Sequence, residues 1–222
     1  MTQEERQRRS KEEIYQAALE EFGKGGFEAV TMDSICLNHG ISKGMMYHYY
    51  ANKGELFLAC VQEIFRELND YLQHEAEALE DQPAFEAIKR YFFLRETFFQ
   101  TRAREKTVFE NAVIRPPRHL ADQIQALRQP IREENERFLR RLLTRVKLRE
   151  GVDRDQAVRY LHSVYAVFWT ILEQYHPHDT ESDLHHMLSE AQELLSLVFF
   201  GAAEPDAPSS SGNPATDGGA GE

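Results

Sequence analysis

Residues 31–57, TMDSICLNHGISKGMMYHYYANKGELF, constrain the fold more than any other part of the chain. Thr31 is suited to cap a first short helix whose apolar positions are Met32, Ile35 and Cys36. Gly40 stops it, because glycine takes the left-handed conformation without steric cost. Ile41 is expected under the turn, and Ser42 caps a second helix that starts at Lys43. This is the layout of a helix-turn-helix, whose second helix enters the major groove of DNA. Tyr47, Tyr49 and Tyr50 follow on a helix of only about two turns, so they cannot all face one small core. Lys53 then opens a long helix, where free backbone amides and a lysine together suit an anion.

At these residues the chain resembles the TetR family of bacterial transcriptional regulators. The resemblance rests on Gly40-Ile41-Ser42-Lys43-Gly44, on Tyr47-His48-Tyr49-Tyr50, and on Lys53-Gly54-Glu55-Leu56-Phe57. The lead-in Ala17-Ala18, Phe22 and Gly26-Phe27-Glu28-Ala29-Val30-Thr31 matches too. Cys36 and His39 stand where the family usually has alanine, which implies local repacking without a change of fold. The match covers the first quarter of the chain. It implies an all-α protein with an N-terminal three-helix DNA-binding domain and a C-terminal helical domain for ligand binding and dimerisation.

Within that reading, roles follow chemistry. Lys43 and Lys53 suit phosphates, as do the hydroxyls of Thr31, Ser42, Tyr47 and Tyr49. Met45, Met46 and His48 are the expected base-facing residues, a methionine suiting a thymine methyl. Gly44 permits close approach to DNA, and Tyr50 fills the family's usual phenylalanine position in the core. Arg6, Arg8 and Arg9 form either an arm that touches phosphates or the minor groove, or a frayed terminus.

Charge sharpens the problem. The whole chain carries −11 at neutral pH. Residues 1–57 hold seven basic and nine acidic side chains, a net of −2. Binding to DNA therefore rests on where the cations stand rather than on bulk charge, with few phosphate contacts per subunit and a dimer needed. The two cysteines, Cys36 and Cys60, imply no disulfide framework and fit a reducing cytoplasm. No redox switch is expected from them. The N-terminus has no hydrophobic leader, and the apolar run 194–203 falls far short of the ~20 residues that span a bilayer, so no membrane partner is expected.

The organisation predicted from periodicity and breakers is 1–52 for the DNA-binding head, 53–201 for the effector-binding and dimerisation body, and 202–222 for a disordered Ala/Gly/Pro/Ser tail. Helices are predicted over about 9–24, with Gly25-Gly26 as the stop, then 53–80, 83–102, 105–113, 118–148, 153–175 and 181–200. Pro130 must kink or split the fifth of these. Helices 153–175 and 181–200 are apolar on two faces and look like the family's dimerisation pair, with Val158, Leu161, Leu172, Leu184, Leu188 and Leu195 at the interface. The resemblance implies an effector among the C-terminal helices. Phe92, Phe93, Phe99, Phe109, Tyr165, Phe168 and Trp169 are candidates to line an apolar chamber, with His119 and Asn135 to hold a polar group. The histidines at 176–186 match no metal-site spacing, so no metal is expected. No nucleophilic triad, phosphate loop or paired acids stands out, so neither an enzyme nor a cofactor is expected.

The reading is a homodimeric repressor that binds a pseudo-palindromic double-stranded operator and is released by a small, largely apolar effector. Two rivals are a DNA-bound scaffold that recruits a protein partner, and a ligand-binding or catalytic helical protein with a vestigial head.

Overall fold

Thr2 begins the first helix. Its hydroxyl accepts from the Glu5 amide, and the Glu5 carboxylate accepts from the Thr2 amide at 2.7 Å, so two orphan donors are satisfied at once. Helix α1 therefore runs Gln3–Ala29, starting well before the expected residue 9. Its buried face is Ile14, Ala17, Ala18, Leu19 and Phe22. The helical path breaks at Gly26, with φ 69° and ψ 178°, a conformation that essentially only glycine adopts. The glycine pair thus punctuates the helix as expected, although a last turn follows.

The structure, a computed structural model, describes residues 2–172 and 197–200, with side chains described through residue 164 and again over 197–200. Helix α2 (Met32–His39) is capped by Thr31, whose hydroxyl accepts from the Ser34 amide at 3.0 Å. Gly40 closes it in the left-handed region at φ 66°. Ser42 caps α3 (Lys43–Tyr49), accepting from the Met45 amide at 3.1 Å. Asn52 caps α4 (Lys53–Ala78) through the Glu55 amide, while the Glu55 carboxylate accepts from the Ala51 amide.

The body continues with α5 (Ala84–Phe99) and α6 (Ala103–Val113). A 3-10 turn (Arg118–Leu120) leads into α7 (Ala121–Leu127) and α8 (Gln129–Leu143). Pro130 sits in the first turn of α8, where its missing N–H costs nothing, so the predicted long helix is split and not merely kinked. Helix α9 (Arg154–Leu172) packs on α8. Among the described residues no helix is long and apolar enough to cross a membrane. The predicted tail and nearly all of the helix 181–200 lie outside the described residues.

One continuous core joins head and body. At the junction Phe57 of α4 meets Phe22 and Phe27 edge-on, with ring centroids 5.1 and 5.0 Å away. Gly23 lets α6 approach α1 closely, since a Cβ there would lie 2.9 Å from the Arg104 Cα. Deeper in the body Tyr91 stacks on Phe138 at 3.8 Å and donates its hydroxyl to Asn135 Oδ1 at 2.8 Å. Glu134, also buried, faces the guanidinium groups of Arg137 and Arg141.

Glu110 on α6 is an exception to this pairing. Burial pushes its carboxyl above the ordinary range, and Glu96 adds to the shift while Lys106 and Arg95 oppose it. A carboxyl raised in the folded state favours folding at low pH and loses that contribution as pH rises through its folded value. Glu110→Gln is therefore expected to stabilise the protein at pH 7 and to be close to neutral near pH 4, as read by urea unfolding at the two pH values.

Candidate nucleic-acid interface

The caps at Thr31, Ser42 and Asn52 set three helix starts within 22 residues, and they leave α3 with one buried side and one open one. Met46 is the buried anchor, at 0% exposure. It packs beneath the helix and is not a base contact, which corrects that expectation. Seven residues make only two turns, so a single fully buried position decides which side faces out. Lys43, Gly44, Tyr47 and His48 are exposed, and Met45, Tyr49 and Tyr50 are half-buried against the core.

On the open side, Gly44 has nothing within 4 Å of where a Cβ would stand. Packing does not require glycine there, which leaves room for another molecule's backbone. The hydroxyls of Thr31 and Ser42 use lone pairs on their own helix amides, so the O–H of Ser42 remains to be donated. Thr31 is also exposed, at the start of α2. The His48 ring meets Tyr49 edge-on at 4.8 Å, and Lys11 Nζ lies 5.8 Å from the Tyr49 ring centroid. The first helix thus places a cation beside the recognition helix.

Lys43 is not alone on its surface. Its ammonium donates to Asp33 Oδ2 at 2.7 Å, with both side chains about three-fifths exposed. That hydrogen bond holds the lysine above its ordinary pKa. Asp33 was not a predicted site residue. Ten positions separate the pair, and only the angle between α2 and α3 brings them together.

Lys53 differs from expectation. Its Nζ donates to the Phe27 carbonyl at 2.8 Å and lies 4.2 Å from the centroid of the Phe27 ring. The side chain closes the C-terminus of α1, whose last carbonyls lack helical partners. Lys53→Ala is expected to lower stability by about 1–2 kcal/mol through this charge-assisted bond, whatever its effect on DNA. Chemical unfolding of the DNA-free protein measures that directly.

The arm also differs. Arg6, Arg8 and Arg9 lie on α1 itself. They are therefore neither an extended arm nor a frayed terminus, and a helix about 10 Å wide does not itself enter a minor groove about 6 Å wide.

The candidate effector residues are scattered. Phe92, Phe99 and Phe109 are buried, with Phe99 and Phe109 in ring contact at 5.0 Å, and Phe93 is half-buried. Asn135 is held by Tyr91. His119 is exposed near the head, 5.8 Å from the Phe27 ring, and does not join that group. It sits on the 3-10 turn Arg118–Leu120 that precedes α7, whereas Asn135 lies on α8. Val158 and Leu161 are buried in the chain's own core, which corrects their placing at a subunit interface. Tyr165, Phe168, Trp169 and Leu172 lie on α9, their side chains outside the described residues, as are Leu184, Leu188, Leu195 and the histidines 176–186.

The model of bacterial regulatory proteins of the tetR family matches residues 14–60, the segment that carries α2, α3 and the start of α4. The chain is 35% identical over 104 residues to the uncharacterized HTH-type transcriptional regulator YhgD of Bacillus subtilis, covering 46% of this chain and 52% of that one. It thus spans about half the length of that relative. Among solved structures, the SmeT–triclosan complex superposes with a TM-score of 0.64 at 21% identity, over 93% of this chain and 98% of the other. The transcriptional regulator FadR from Bacillus subtilis, in complex with stearoyl-CoA, also gives 0.64, at 15% identity over 85% and 97%. These two likenesses establish the fold, and the head matched at residues 14–60 establishes what the fold carries. Residues 14–60 thus match the helix-turn-helix head of the tetR family of bacterial regulatory proteins, carried on a chain whose fold is shared with solved structures that include the transcriptional regulator FadR.

Proposed function

We propose that the protein is a repressor that binds a pseudo-palindromic operator as a homodimer and is released by a small, largely apolar effector. The observation that carries the DNA side is the open face of α3, where Lys43, Gly44, Tyr47 and His48 stand together above the buried Met46. Backbone contacts then fall to Thr31, Ser42, Tyr47 and Tyr49, and base contacts to Met45 and His48. Two recognition helices in successive major grooves require a two-fold dimer and half-sites about 10 base pairs apart. The second half of α9 and the helix predicted at 181–200 are the proposed dimerisation elements.

The effector reading is supported by Phe92, Phe93, Phe99 and Phe109 within the body, and by neighbours of the same fold that hold triclosan and stearoyl-CoA. An effector favours release only through a higher affinity for the conformation that does not fit the operator.

The test is selection of bound duplexes from a random pool, with the Lys43→Ala/Tyr49→Ala protein as control. An inverted repeat enriched by the intact protein alone is expected. No enrichment by a folded dimer would overturn the operator reading and move attention to the body as the working site. Titrating apolar organic acids and phenols against the operator complex then tests release.

A further inference from the structure

The ion pair between Asp33 and Lys43 stands on the one face of the head that must meet DNA. A carboxylate there is unfavourable beside phosphates unless DNA offers it a donor. The head, at −2, can least tolerate an acid misplaced on this side. As a stabilising device the pair is weak, because both partners are exposed and such pairs contribute little. Its position is the informative part. Lys43 is the first residue of the recognition helix, whose N-terminal residues are those that reach base edges. Asp33 is in the first turn of α2, and α3 has no acid in its own first turn.

In the major groove a G·C pair presents the guanine N7 and O6 acceptors, then the cytosine N4 amino donor. O6 and N4 are hydrogen-bonded to each other, so they lie about 2.9 Å apart. Lys43 Nζ and Asp33 Oδ2 lie 2.7 Å apart, a donor beside an acceptor at matching spacing. We propose that Asp33 and Lys43 together read one G·C pair in each half-site, the ammonium on guanine O6/N7 and the carboxylate on cytosine N4. The pair rests on the operator reading above and moves Lys43 from the backbone to a base edge. An A·T pair reverses the pattern at this spot, setting its amino donor against the ammonium.

The measurement is fluorescence anisotropy with the selected operator and all its single-pair variants, for the intact protein, Asp33→Ala and Asp33→Asn. The intact protein is expected to prefer G·C at one position per half-site by about tenfold or more. Asp33→Ala should lose most of that preference at that position alone, and should bind random duplex more tightly. Asp33→Asn should move the preference toward A·T, since an amide pairs with adenine N6 and N7. Identical preferences at every position in all three proteins would overturn the assignment while leaving the operator reading standing. An intact protein that distinguishes no sequence would overturn both. Asp33 is exposed, and matching circular dichroism of the three DNA-free proteins verifies that the comparison is between folded heads.

Discussion

Phe57→Ala should remove about 3–5 kcal/mol of stability, the range for emptying a phenylalanine site in a packed core. The site is fully buried and contacts both other rings of the junction, Phe22 and Phe27. Head and body share this cluster, so little of the surrounding structure can collapse into the cavity without moving α1 relative to α4. Against a typical total of about 5–15 kcal/mol, the loss is a large fraction. Urea unfolding followed by circular dichroism measures it, and a change under about 1 kcal/mol would show that the junction relaxes freely.

Gly23→Ala is the second large effect, and it acts by crowding instead of by emptying. The added methyl would lie 2.7 Å from Arg104 Cβ and 2.9 Å from its Cα. No rotamer change relieves a backbone contact, so α6 must move away from α1. Overpacking of this kind costs about 1–3 kcal/mol. Since α1 and α6 form the broadest interface between head and body among the described residues, the displacement should also change operator affinity, although Gly23 is far in sequence from α3. Equal operator affinity in a destabilised Gly23→Ala protein would show that the head tolerates movement of α6.

Legibility followed the range of the interactions. The head was readable almost to the residue because caps and glycine stops act within four positions: Thr31, Gly40, Ser42 and Lys53 all mark the observed boundaries. The early start of α1 had a local signal as well, in Thr2 and Glu5 three residues on, a pattern easily overlooked next to a run of charge. Orientation on α3 was harder. Seven residues do not show a clear helical period, so nothing local separates Met45 from Met46. The pairings of Lys53 with Phe27 and of Lys43 with Asp33 depend on how helices cross. Pro130 announced a break but not that His119 would end up near the head. In the body, apolar residues on two faces of a helix indicated burial, but they did not distinguish the chain's own core from a partner's, and Val158 and Leu161 fell on the former.

The box formed by Thr2 and Glu5 has a kinetic consequence. Residues 3–11 are already helical in the absence of DNA, so this segment does not have to fold as the complex forms. Association then approaches a rigid-body encounter, with a rate governed by diffusion and ionic strength. The heat-capacity change on binding should reflect only the area covered at the interface, without the added contribution that accompanies coupled folding.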